Sequence, residues 1–345
     1  MNFFKKRCFI AFLIIIVCGC SKNKTNNYHS SNTDNNTTQS SIEDPRNITI
    51  LYTNDEHGWM EKSQYSNGAA NMMGLWCDQE EYDGDDSFLI LSGSDNWLGS
   101  PISTMFKGES TVDVMNAMEY DAAVIGNHEF EFGIQNLYHR IIQAKFPYLS
   151  ANIRKKTTGE IPCFAIPYIV KEINDVMVGI IGLTPVSTPN NTITEYVKDY
   201  EFIDYLTALE ETVPQAKSDG ADLLIVIAHT SYYNLIDLAP ELINMGIIVA
   251  GGGHCHRKIT PQVIKNNNGK LAVIQANPYL GSYAKVEISY DIIEKKVIAL
   301  NVSGSLNEEI TPDSNVESVV TYWKDQTNRK LSEISTKIDP KIKVG

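Results

Sequence analysis

Five short apolar runs of this chain each end in a cluster of potential metal ligands, and that regularity constrains the fold more than any other feature. "ITILYT" from Ile48 runs into "NDEH", "SFLILS" from Ser87 into "GSDN", and "AAVIG" from Ala122 into "GNHE". "DLLIVIA" from Asp222 runs into "AHT", and "GIIVAGG" from Gly246 into "GGGHCH". In open α/β sheets, sites form outside the carboxyl ends of strands, where segments far apart in sequence converge on one edge. One histidine after one strand means little, because most such residues are satisfied surface or core groups. Five clusters at five equivalent positions predict a single site.

The remaining pattern agrees with an α/β fold. Further strands are expected at "VMVGIIGL" from Val176, "LAVIQA" from Leu271, "KVEISYD" from Lys285 and "KVIALNV" from Lys296. The last four strand candidates read as including antiparallel pairs. Helices are expected at 69–80, with Met72, Met73 and Trp76 on one face, at 111–118, at 204–217 with a break or kink at Pro214, and from Val316. No internal repeat is visible. With 345 residues, 43% of them hydrophobic, the chain is long enough for a large core. Its formal charge of −13 argues against a nucleic acid polymer as partner. An anionic substrate would need local positive charge, most directly from bound metal.

The N-terminus reads as a secretory leader: "KKR" precedes "CFIAFLIIIVC", an apolar run too short to span a bilayer as a helix. The run ends in "VCGC", which resembles the lipobox of bacterial lipoproteins and makes Cys20 the candidate lipidation site. Residues 1–19 would then be a lipoprotein signal peptide, and the expected location is the bacterial cell envelope, lipid-anchored on the extracytoplasmic side. Residues 20–45 are dominated by Asn, Ser and Thr without an apolar pattern and read as a disordered tether, with a reach on the order of 25 Å. Outside the leader region, Cys77, Cys163 and Cys255 remain, an odd number that implies no disulfide framework.

Taken together and in order, "LYTNDEHG" from Leu51, "SDNWLGSPIS" from Ser94, "IGNHEFEFG" from Ile125, "VIAHTS" from Val226 and "GGGHCH" from Gly251 resemble the metal-dependent phosphoesterases of the calcineurin-like superfamily, and within it the 5′-nucleotidases. The resemblance implies a four-layer αββα sandwich of two mixed sheets flanked by helices, with the catalytic domain at 46–305. It also implies two divalent metal ions, Zn, Mn or similar. Asp55, His57 and His256 correspond to ligands of the first; Asn127, His229 and His254 correspond to ligands of the second; Asp95 corresponds to the bridging carboxylate. His128 corresponds to the catalytic histidine, paired with Glu131 where relatives usually carry Asp. The implied reaction is in-line attack on phosphorus by a hydroxide held between the ions, releasing phosphate from a small phosphorylated substrate, most naturally a nucleotide.

The ligand types suit this on their own chemistry. A carboxylate can span two cations, while imidazole and carboxamide supply neutral donors. In "DEH" and "HCH" one residue separates the two ligands, so an extended backbone would set both on one face and point Glu56 and Cys255 away. A thiolate ligand at Cys255 would sit poorly beside the hard oxygens of Asp55 and Asp95. Gly251 to Gly253 are expected to let backbone approach the metals.

Three departures from the family pattern stand out. Glu131 is one methylene longer than the usual Asp, and Ser94 replaces the usual glycine before the bridging Asp. The family's nucleotide-binding domain would begin near 306–345, where this chain holds a helix and tail; Tyr322 and Trp323 there are expected to pack on the core, and a separate protein supplying the missing half is one possible partner. Alternatives left open are a cyclic-nucleotide, pyrophosphate or sulfur-ester hydrolase of the same superfamily, and a non-catalytic metal-binding lipoprotein.

Overall fold

The computed structural model describes residues 45–306 and 310–338. The leader, Cys20 and the tether up to residue 44 lie outside the described residues. In chain order the strands are β1 (Arg46–Thr53), β2 (Phe88–Ser92), β3 (Ala122–Val124), β4 (Tyr148–Leu149), β5 (Ile153–Lys155), β6 (Tyr168–Ile173) and β7 (Val176–Leu183). They continue with β8 (Tyr200–Phe202), β9 (Leu223–Ala228), β10 (Ile247–Gly251), β11 (Gln262–Asn266), β12 (Gly269–Ile274), β13 (Ser282–Asp291) and β14 (Lys296–Leu306). The helices are α1 (Ala69–Gln79), α2 (Pro101–Thr104), α3 (Glu109–Ala117), α4 (Ile134–Gln143), α5 (Thr194–Val197), α6 (Tyr205–Ser218), α7 (Tyr232–Asp237), α8 (Ala239–Asn244) and α9 (Ser314–Ile338).

Two six-stranded mixed sheets carry the fold, ordered β14-β13-β1-β2-β3-β4 and β11-β12-β10-β9-β7-β6. Strands β1 to β4 run parallel, as do β7, β9, β10 and β12, and antiparallel strands close both outer edges of the second sheet and one edge of the first. Side chains alternate between the two faces of a strand. Ile48, Ile50 and Tyr52 of β1 therefore meet Val178, Ile180, Ile225 and Ile227 in a core between the sheets. Leu51 and Ile90 face the other way, onto Met72 and Trp76 of α1, Val112 and Val114 of α3 and Trp323 of α9. On the far side, Leu224, Val226 and Val273 pack on Leu209 of α6, Leu235 of α7 and Leu242 of α8. The layers are helix, sheet, sheet, helix, as the resemblance implies. Because both faces of each sheet are covered, the central strands read as continuous apolar runs and were legible.

The expectation of antiparallel pairs among the last four strand candidates holds for β13 with β14, whereas β10 and β12 are parallel neighbours. The antiparallel partner of β12 is β11, "QVIKN", whose polar edge-strand composition hides it. β6 is hidden likewise by Lys171 and Glu172, and β4, β5 and β8 by their two or three residues.

Pro214 does not break its helix: α6 runs through it to Ser218, capped by Asp204 accepting from the Leu206 and Thr207 amides. The carbonyl that loses its donor belongs to Glu210, an exposed residue. In α9, Val316, Val320 and Trp323 are buried, and the Trp323 indole donates to Asp113 of α3. Tyr322 instead stands 55% exposed, against the expectation that it packs inward, because its place on the helix lies opposite that stripe. No described helix is long and apolar enough to cross a membrane.

Candidate metal centre

Five parallel strands, β1, β2 and β3 of one sheet and β9 and β10 of the other, deliver the predicted ligands from the loops past their carboxyl ends. Asp55, His57, Asp95, His128, His229, His254 and His256 come together in three overlapping groups whose ligand atoms lie within 4.8 Å of one another: Asp55 with His57 and His256, Asp95 with His229 and His254, and His57 with Asp95 and His128. His256 Nε2 is 3.2 Å from Asp55 Oδ1, and His229 Nε2 is 2.7 Å from Asp95 Oδ2 and 3.8 Å from Asp55 Oδ1. Asp95 belongs to two of the three groups, and His57 links them to the third.

Local backbone strain accompanies the ligands. Asp55, His57, Ser94, Asp95, His254 and His256 all have φ between 47° and 76°, the left-handed region that side chains rarely occupy. This corrects the extended-backbone argument for "DEH" and "HCH". The ligands share a side because each segment turns tightly beyond its strand, anchored by Asp55 N to the Ser94 carbonyl, His57 N to the Asp95 carbonyl and His254 N to the Asp55 carboxylate. Cys255 lies away from the ligands, with its Sγ 3.3 Å from Gln275 Nε2. The glycine run allows close approach: a Cβ at Gly253 would meet Asp55 Oδ2 at 2.9 Å and His229 Nδ1 at 3.4 Å, and one at Gly251 the Tyr52 ring at 2.5 Å.

The donors fit cations. His57 Nδ1 faces the Leu98 carbonyl and His229 Nδ1 the Gly93 carbonyl; a carbonyl only accepts, so each ring donates from Nδ1 and, when neutral, keeps its lone pair on Nε2. His57 Nε2 and His256 Nε2 face each other at 3.0 Å, an arrangement that an ion between them would satisfy. Asn127 donates from Nδ2 to the Asn191 carbonyl at 3.0 Å, which leaves its Oδ1 buried without a partner. Orphaned buried acceptors are costly unless something occupies the site.

Electrostatics point the same way. Burial raises the Asp95 carboxyl, but the charge and hydrogen bond of His229, with His128 and His57 beyond, hold it well below the usual carboxylate range. Burial lowers His229, yet Asp95, with Asp55 behind it, pushes it up to about 10. Without metal, the His229 imidazolium offsets part of the charge of the two carboxylates, and a cation bound there would displace its proton.

His128 sits at the edge of the cluster, its side chain 28% exposed and its Nε2 3.9 Å from Asp95 Oδ2. Its Nδ1 lies 3.3 Å from Glu131 Oε1 without an aligned hydrogen bond. Ser94 does not crowd the site: its Oγ donates to Glu129 at 2.7 Å and accepts from Gly126 N at 2.7 Å.

Sequence reasoning missed the buried supports. Glu129 accepts from Ser94 Oγ and from the amides of Asp95, Asn96 and Gly126, locking two ligand loops together. Glu56 accepts from Thr53, Ser92 and Asn96 between β1 and β2. Burial pushes both carboxyls up to about 7. Their signal was present, an acid inside each of "NDEH" and "GNHE" beside strands with no exposed face. Tyr279, whose Oη meets His256 Nδ1 at 3.1 Å, had none.

No protein-family model matches the chain. Human 5′-nucleotidase is 29% identical over 312 residues, 80% of this chain and 52% of that protein. The chain spans about half the length of the curated relatives it matches. Among solved structures, a 5′-nucleotidase precursor from Thermus thermophilus superposes with a TM-score of 0.69 at 22% identity, covering 82% of this chain and 59% of that one. A calcineurin-like phosphoesterase from Bacillus subtilis superposes with a TM-score of 0.70 at 21% identity, covering 82% and 98%. The chain is thus a sequence relative of the 5′-nucleotidases, with the fold of the calcineurin-like phosphoesterases.

Proposed function

We propose that this chain hydrolyses phosphate esters, nucleotides first among them, at a centre holding two divalent cations. The observation that carries the reading is that Asp55, His57 and His256 gather in one group and Asp95, His229 and His254 in another, with His57 and Asp95 shared by a third that joins them. Asp55, His57 and His256 would hold one ion, Asn127, His229 and His254 the other, and Asp95 both. Bound there, the ions supply Lewis acidity, activating water and neutralising the phosphate. The chain's own residues do the rest. The carbonyls of Leu98, Gly93 and Asn191 fix the orientation of His57, His229 and Asn127. The His128 amide donates to Asp95 Oδ1 at 3.0 Å, which ties the histidine's position to the bridging carboxylate. From the edge of the cluster His128 can hand a proton to the departing oxygen, with Glu131 steadying the imidazolium at Nδ1.

The test is a panel of nucleoside monophosphates, cyclic nucleotides and model phosphodiesters assayed with Mn or Zn, alongside metal content by mass spectrometry. Wild type is expected to bind metal and release phosphate; Asp95→Asn loses metal and activity together, and His128→Ala keeps metal while kcat falls about 100-fold or more. Equal turnover by wild type and Asp95→Asn would overturn the proposal. The lipid anchor at Cys20 and the envelope location rest on sequence pattern, and mass spectrometry of the mature N-terminus tests them.

A further inference from the structure

An aromatic wall rises from the metal centre along two loops. The Tyr279 ring contacts both ligand imidazoles, with centroids 5.7 Å from His57 and 5.4 Å from His256. Trp59 lies 5.6 Å beyond Tyr279, and Tyr65 lies 6.0 Å beyond Trp59. The loops that carry them are tied together by Asn67 N donating to the Leu280 carbonyl, and Tyr279 N donates to the Asp55 carbonyl at 2.8 Å. Tyr279 and Leu280 have φ of 64° and 53°, a strained turn that holds the Tyr279 ring against the ligands. Ordinary core packing would bury such a series. Here Tyr279 and Trp59 are only half-buried and Tyr65 is 61% exposed.

We propose that Trp59, Tyr65 and Tyr279 form the subsite for the aromatic base of a nucleotide whose phosphate lies at the metal centre. This deepens the hydrolase reading and rests on it. The two ring-to-ring steps from His57 to Trp59, 5.7 Å and 5.6 Å, together fall within the length of a nucleoside monophosphate from its phosphate to the far edge of its base. A flat heteroaromatic ring gains from an aromatic surface whatever its hydrogen-bonding edge, so the subsite selects for a base without choosing strictly among bases. A ribose phosphate lacking the base forfeits that contact.

The test compares kcat/KM for AMP with that for ribose 5-phosphate in wild type, Trp59→Ala and Tyr65→Ala, and titrates the metal-loaded proteins with adenosine while following tryptophan fluorescence. The AMP to ribose 5-phosphate ratio is expected to fall about tenfold in Trp59→Ala, the size of one base–aromatic stacking contact, and about threefold in Tyr65→Ala, whose exposed ring leaves the fold undisturbed. Adenosine should quench fluorescence saturably in wild type, and the quench should vanish in Trp59→Phe. A ratio unchanged in both alanine variants, with fluorescence indifferent to adenosine, would overturn the subsite while leaving the hydrolase reading intact. Should wild type hydrolyse no phosphate ester, the hydrolase reading falls, and the adenosine titration alone decides the subsite.

Discussion

Ser94 shows how a single residue can carry opposing energies at this site. Its φ of 76° costs on the order of 1 kcal/mol for any side chain with a Cβ, which is why glycine would be easier there. Its Oγ joins Glu129 and the Gly126 amide in a buried set of bonds, and an unmade buried bond costs about 1–3 kcal/mol. The bonds therefore outweigh the strain. Ser94→Gly is expected to lose about 1 kcal/mol, since relief of strain offsets part of the loss, and Ser94→Ala about 2–3 kcal/mol, since the strain stays. Urea denaturation of the metal-free protein should rank them wild type, Gly, Ala. Ala as stable as wild type would show that the hydroxyl contributes nothing, and Ala more stable than Gly that the turn carries no strain.

Among the elements, α9 is most informative, because it packs on α1 and α3 and carries none of the predicted ligands. Val316, Val320 and Trp323 recur at helical spacing and enter the same core as Met72 and Trp76. Trp323 is 6% exposed and its indole is anchored on Asp113. Truncating such a side chain leaves a cavity and costs about 3 kcal/mol. Trp323→Ala should lower the urea midpoint accordingly while leaving metal content unchanged, since no ligand lies on α9. A loss below about 1 kcal/mol would mean that this helix docks only weakly. The helical and central-strand elements were readable because their apolar spacing survives in sequence; the edge strands β6 and β11 were not, because one side of each has no partner and tolerates lysine and glutamate.

For the whole molecule, the candidate metal centre joins loops from both sheets, so ions that bind only the folded chain should stabilise it globally. At a cation concentration about 100 times Kd, linkage adds about 2.7 kcal/mol. For a domain of this size that is a rise of about 5 °C in Tm. Manganese or zinc should produce such a rise in a thermal scan and a chelator should reverse it, with Asp95→Asn showing neither. An unchanged Tm in wild type would mean that the clustered side chains do not take up cations.

By itself the sequence determined which residues meet: parallel strands buried on both faces must be apolar throughout, so the polar clusters past their ends stand out and are carried to one edge. Only the tertiary structure decided how they meet. The left-handed turns at Asp55, His57, Asp95, His254 and His256, the burial of Glu56 and Glu129 behind them and the approach of Tyr279 to His256 arise from contacts between loops distant in sequence. Local composition carries no record of a partner that folding alone brings within reach, and that is the physical reason the clustered candidate ligands were legible and their supports were not.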